Sequence, residues 1–179
     1  DKVAISSAPL LFVGYGVSAP ERGWDDFKGA DLKGKVAVFL INDPDFEAAK
    51  GDDAAGKFGD RTMTYYGRWT YKFEEAARRG AVGALIVHDT PGAGYGWNVV
   101  VSPGGENYDL VRAPDKLTSL QLQGWIEGGA AARLFAGAGL DLGSLRTQAR
   151  SKGFRPVELK GASFSAAFPV TQDVIKSAN

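Results

Sequence analysis

The sequence predicts an α/β domain built around parallel strands, and three observations carry that expectation. Lys35 to Ile41 (KVAVFLI) and Val82 to Val87 (VGALIV) are nearly continuous apolar runs, the pattern of strands buried on both faces. Between them, Tyr65 to Arg79 places Tyr65, Trp69, Phe73, Ala76 and Ala77 on one face at three- and four-residue spacing, the period of a helix. Strand, helix, strand is the crossover unit that joins parallel neighbours in a sheet.

The remaining elements follow in chain order. Leu10 to Val17 reads as a strand disturbed by Gly14 and Gly16, which mark bulges or a close backbone approach. Pro20 to Gly34 is a polar connection rich in turn residues, and Asn42-Asp43-Pro44-Asp45 stops the next strand. The segment 43–62 is expected to be a long surface loop with a short helix around Phe46 to Lys50. Arg78 and Arg79 complement the helix dipole at the C-terminus of the 65–79 helix, and Gly80 supplies its stop. A second long loop is expected over Pro91 to Gly105, and a short strand over Lys116 to Leu122. Gln121 to Ala136 reads as a helix with Leu122, Trp125, Ile126, Ala130 and Leu134 inward, although Gly128-Gly129 costs about 1 kcal/mol per Gly relative to Ala. Leu142 to Ser151 is a shorter helix ended by Gly153, and Val157 to Leu159 and Ala162 to Phe168 read as closing strands. No repeat or linker divides the chain, so one domain over residues 1–179 is expected.

Composition excludes several classes. Lys plus Arg and Asp plus Glu number 21 each, so no basic stripe is available for a nucleic-acid backbone or an anionic membrane. The apolar runs fall far short of the roughly 20 residues that span a bilayer. With no cysteine there are no disulfides, thiolate nucleophiles or cysteine zinc sites. His88 is the single histidine, whereas zinc hydrolases usually hold their metal with two or three imidazoles and carboxylates.

Each motif has an ordinary reading beside its chemical one. Asp43-x-Asp45 with Asp52 and Asp53 offers calcium ligands, but it lacks the EF-hand glycine and terminal Glu, and a solvated loop is expected. Glu74-Glu75 cannot clasp one ion, because adjacent helical residues point about 100° apart; pairing of Glu74 with Arg78 is expected. His88 would need a nucleophilic serine to serve as a general base, and no Gly-x-Ser-x-Gly elbow exists, so a hydrogen-bonded strand-end histidine is expected. The glycines of Gly92-x-Gly94-x-Gly96 and Gly137-x-Gly139 lack the third glycine and setting of a phosphate loop and read as turns. Tyr95, Trp97 and Asn98 stand apart. Large aromatics in a Gly-rich loop either pack on their own domain or meet a partner.

Four segments together resemble a known family. They are Phe12 to Asp43 (FVGYGVSAPERGWDDFKGADLKGKVAVFLIND), Met63 to Asp89 (MTYYGRWTYKFEEAARRGAVGALIVHD), Gly94 to Val100 (GYGWNVV) and Gly153 to Gly161 (GFRPVELKG). The set resembles the protease-associated (PA) domain of bacterial secreted zinc aminopeptidases, in the clan of aminopeptidase Y and glutamate carboxypeptidase. The resemblance implies a swivelling β/β/α fold, a compact sheet-rich core with flanking helices. It also implies a non-catalytic accessory role at the mouth of a peptidase active site, limiting access or helping to hold peptide substrate.

Catalytic residues do not carry over. The family's two-zinc site uses a His-x-Asp, a bridging Asp, a Glu-Glu pair, a further carboxylate and a late His; this chain has no His-x-Asp and one histidine. No catalytic or metal-binding residue and no cofactor is therefore expected here, zinc belonging to the peptidase module of a larger parent chain. Pro169 to Ile175 is similar to the family's re-entry into that module, with Asp173 in place of the usual Asn, so an excised domain is expected. The implied partners are that module and the peptide substrate, and the implied location is periplasmic or extracellular. Tyr95, Trp97 and Asn98 are the candidate substrate-facing residues. A free-standing peptide- or protein-binding module is the alternative, and an enzyme acting through His88 and a serine the third reading.

Overall fold

Strand pairing decides the architecture. In the computed structural model, which describes residues 2–102, 108, 110–111 and 120–176, the two apolar runs lie side by side as parallel strands. β4 (Val36–Leu40) and β5 (Gly83–Val87) pair from Val36↔Gly83 to Leu40↔Val87. The helix between them, α1 (Trp69–Arg78), packs on one sheet face. β1 (Lys2–Phe12) runs parallel to β4, β6 (Leu122–Ile126) runs parallel to β5, and β7 (Val157–Pro169) pairs antiparallel with β1. The result is a mixed five-stranded sheet of order β6-β5-β4-β1-β7. β2 (Ser18–Ala19) and β3 (Trp24–Asp25) form a small separate ribbon.

Helices cover both faces, which is why every residue of β4 and β5 is buried. Alternate side chains serve opposite layers. Ala37, Phe39, Ala84 and Ile86 meet Phe73, Ala76 and Ala77 of α1. Val36, Val38, Leu40, Leu85 and Val87 belong to the layer beneath α4 (Gly128–Gly137) and α5 (Leu142–Gln148), with Ala131, Phe135 and Leu145. Phe12 anchors that layer edge-on to Phe135 and Phe154 at 5.2 and 5.8 Å, contacts each worth about 0.5–1.5 kcal/mol beyond area burial.

Several expectations are corrected. The first strand lies earlier than Leu10 to Val17: it ends at Phe12, and Gly14 and Gly16 form the turn beyond it at φ of 60° and 62°. A Cβ on Gly16 would stand 2.2 Å from the Phe39 ring, so the close approach holds although the strand does not. The connection Pro20 to Gly34 carries β3, which pairs back with β2 just before it, and buries Trp24, Phe27 and Leu32. No helix forms at Phe46 to Lys50, where the chain makes turns. Leu122, Trp125 and Ile126 lie on β6 rather than on a helix. The free edge of β5 offers backbone partners there, and Glu127 caps a helix that begins only at Gly128, accepting from Ala130 N–H. Within the expected strand Lys116 to Leu122, residues 112–119 lie outside the described residues. The two closing strands are one, β7, continuous through Gly161. The loop Pro91 to Gly105 contains two short helices, α2 (Thr90–Ala93) and α3 (Trp97–Val101), and its residues 103–105 lie outside the described residues.

The 65–79 helix is shorter than its pattern. Tyr65–Gly67 is a separate 3-10 turn, and Arg68 between it and α1 is extended at φ −71° and ψ 143°. That break takes Tyr65 out of phase with α1, and Tyr65 and Trp69 stay 53% and 47% exposed while Phe73, Ala76 and Ala77 are buried.

Candidate binding groove

The parallel strands deliver their carboxyl ends to one edge, the usual place for ligands in α/β sheets. β4 leads into Ile41, Asn42 and Asp43, and β5 into His88 and Asp89. Asp89 caps α2 by accepting from Gly92 N–H at 3.0 Å, and Asn42 Nδ2 donates to the Gly92 carbonyl at 2.7 Å, locking the two loops together.

The acidic loop is tied to the fold rather than solvated throughout, which corrects the sequence expectation. Asp43 and Asp45 are buried. Asp43 accepts from the Thr64 N–H and hydroxyl at 2.6 and 2.7 Å, and Asp45 accepts from the N–H groups of Phe58 and Asp60 at 2.8 and 3.0 Å. Asp52 meets Arg150 at 2.8 Å, and Asp53 accepts from Lys152 N–H at 2.9 Å. These carboxylates replace the backbone ladder that an irregular segment lacks. Of the Glu-Glu pair, Glu74 approaches Arg78 at 3.9 Å, whereas Glu75 is buried between Arg78 and Arg79.

His88 is buried at the end of β5. Its Nε2 lies 3.0 Å from the Tyr95 carbonyl, so the proton sits on Nε2, because a carbonyl can only accept. Trp97 and Trp125 flank the ring edge-on at 5.4 and 5.9 Å, with Tyr95 tilted at 5.9 Å. This nitrogen is therefore occupied in holding the 88–97 segment.

Between that segment and α1 lies a groove of about 360 Å³. Ile41, Ala93 and Tyr95 form one side, and Met63, Arg68, Trp69 and Thr70 the other. The Arg68 side chain makes no hydrogen bond or ion pair among the described residues. A second hollow of about 380 Å³ lies on the β1–β7 arm, lined only by Ala, Ile and Ser, and offers no charged group for recognition.

The structure thus separates the three sequence candidates. Tyr95 lines the groove, Trp97 packs on His88, and Asn98 is exposed on α3. Sequence reasoning missed Arg68 and Trp69 as groove residues, and it missed the charges beneath them. Lys72, fully buried on α1, donates to the carbonyls of Tyr15 and Asn42. Asp26, also buried, accepts from Val17 N–H and Trp24 Nε1 at 2.9 and 2.8 Å. Burial pushes the Asp26 carboxyl up to about 7 against those hydrogen bonds, and pushes Lys72 down to about 8 against the pull of Asp43 and Asp26. Burial likewise raises Asp43, opposed by its bonds to Thr64. The available signal was Lys72 itself, a charge beside Phe73 on the inward side of the helix.

Among the described residues, no three His, Cys, Asp or Glu side chains gather to hold a metal ion, and no helix is long and apolar enough to cross a membrane. No family model, curated protein or solved structure matches the chain.

Proposed function

We propose that this chain is a PA domain, with the swivelling β/β/α fold, excised from an exported zinc aminopeptidase. In this reading it is a non-catalytic accessory domain. It flanks the peptidase active site in the periplasm or outside the cell and helps to hold the peptide substrate. Zinc and the catalytic groups belong to the peptidase module of the parent chain.

The observation that supports this reading is where the resembling segments meet. Met63, Arg68 and Trp69 come from the second segment and Tyr95 from the third, and together they line one groove. An aromatic wall, a soft methionine and a rim cation suit a peptide side chain and its backbone.

The test begins with the purified chain. It should retain no zinc after loading and turn over no aminoacyl-anilide, and stoichiometric zinc with turnover would overturn the accessory reading. Fused to its peptidase module, Trp69→Ala should raise KM for longer peptides about tenfold while leaving dipeptide turnover unchanged, a loss of about 1.4 kcal/mol of binding. Unchanged kinetics at every peptide length would remove the groove from substrate binding.

A further inference from the structure

Lys72 joins the two walls of the groove. Its Nζ donates to the Tyr15 carbonyl at 2.5 Å and to the Asn42 carbonyl at 3.0 Å. Tyr15 lies in the Gly14–Gly16 turn, which is itself fastened to β4 by Leu40 N–H donating to the Gly14 carbonyl at 2.8 Å. Asn42, at φ 75°, directly follows the groove residue Ile41. On the helix, Lys72 sits one turn beyond Arg68, and its N–H donates to the Arg68 carbonyl at 3.3 Å. The Asn42 N–H donates to the Gly67 carbonyl at 3.1 Å, and the ammonium adds the side-chain tie between Arg68, Trp69 and Thr70 and the corner that carries Ile41.

The surroundings make that tie depend on charge. Asp26 faces Lys72 from the segment after β3, and Asp43 from the segment after β4. Behind them, Lys28 acts on Asp26 and Asp45 acts on Asp43. From its own helix, the Tyr71 ring lies 6.0 Å from Nζ. A charged ammonium makes charge-assisted bonds to both carbonyls. A neutral amine holds them more weakly and leaves two buried carboxylates without a cation.

We infer that Lys72 is a positioning residue whose charge sets the shape of the groove. Protonated, it clamps the first turn of α1 to the Asn42 corner; deprotonated, it loosens that clamp, and the Asn42 N–H to Gly67 carbonyl bond is left to join the walls. The inference concerns shape and holds whatever the groove binds. Burial of the ammonium places the loosening in mildly alkaline solution.

Met63 provides the probe, because it is the only methionine of the chain and it lines the groove. Its labelled methyl resonance is followed by NMR on the full chain from about pH 7 to 10, across the range where a depressed lysine titrates. The expected result is a single step in mildly alkaline solution. Asp26→Asn should move the midpoint down by about one pH unit, because one of the two carboxylates that favour the charged form is gone. Lys72→Leu should abolish the step. A flat wild-type profile, a midpoint unmoved in Asp26→Asn, or a step that persists in Lys72→Leu would each overturn the inference. If Lys72→Leu does not fold, the Asp26→Asn midpoint decides alone.

Discussion

On the α1 side of the groove the wall is fixed by buried charge, whereas on the Tyr95 side it is fixed by ring packing around one histidine. The first arrangement places Lys72, Asp26 and Asp43 where water does not reach and satisfies them with backbone groups. The second gathers Tyr95, Trp97 and Trp125 about His88, whose ring is hydrogen-bonded to the Tyr95 carbonyl. Removing one member of a buried charge set strands the others, so its cost is steep. Removing one ring forfeits contacts in proportion to the atoms lost, so its cost is graded. The charged wall should therefore respond to pH and the aromatic wall to truncation.

The largest effect expected is from Lys72→Leu, which leaves Asp26 and Asp43 buried without their cation. A loss of about 3–5 kcal/mol is expected in urea unfolding, with part recovered in Lys72→Leu/Asp26→Asn. A loss below about 1 kcal/mol would erase the contrast between the walls, since surface changes cost that little.

Next is the pH dependence of stability from Asp26. Its folded value is raised from 3.8 to about 7. Across that window the folded chain holds a proton that the unfolded chain releases, so Asp26 favours folding most strongly at the acid end, and that contribution is lost as pH rises towards 7. Asp26→Asn should flatten this part of the stability profile in urea melts taken from pH 4 to 8. An identical slope in the variant would assign the dependence to other groups.

On the aromatic wall, Trp125→Ala removes a half-buried ring from His88 and Tyr95. A loss of about 2 kcal/mol is expected, below the range for a fully buried ring, with a weakened near-ultraviolet dichroism band. The smallest effect should come from Asp89→Ala, which removes the cap of α2 and a 3.5 Å approach to Arg146. About 1 kcal/mol is expected, read as an earlier thermal midpoint.

Part of the groove is legible in the sequence. Tyr95 was marked by its size in a glycine-rich loop, and it does line the groove. Trp97 carried the same mark but packs on His88, because a ring's local sequence does not say which neighbour will cover it. The spacing of Trp69 to Phe73 predicts an inward ring, yet the extended Arg68 starts the helix at Trp69 and leaves that ring on the rim. The segment Leu122 to Ile126 has apolar residues at helical spacing, but the edge of β5 claimed it as a strand. That pairing satisfies backbone groups along the strand, and no local propensity competes with it.

Elements whose pattern is carried by near neighbours can be read from the residues alone. β4 and β5 followed from apolar runs, the body of α1 from its three- and four-residue spacing, and the end of α1 from Gly80 at φ 76°. Which charges are buried, and what they hold, depends on the assembled sheet and its loops. Lys72 and the Tyr15 carbonyl it grips are 57 residues apart in the chain, and Asp43 and the Thr64 it accepts from are 21 apart. Whether a charge lies in water or in the core depends on partners at such distances, and those partners meet only when the sheet has assembled.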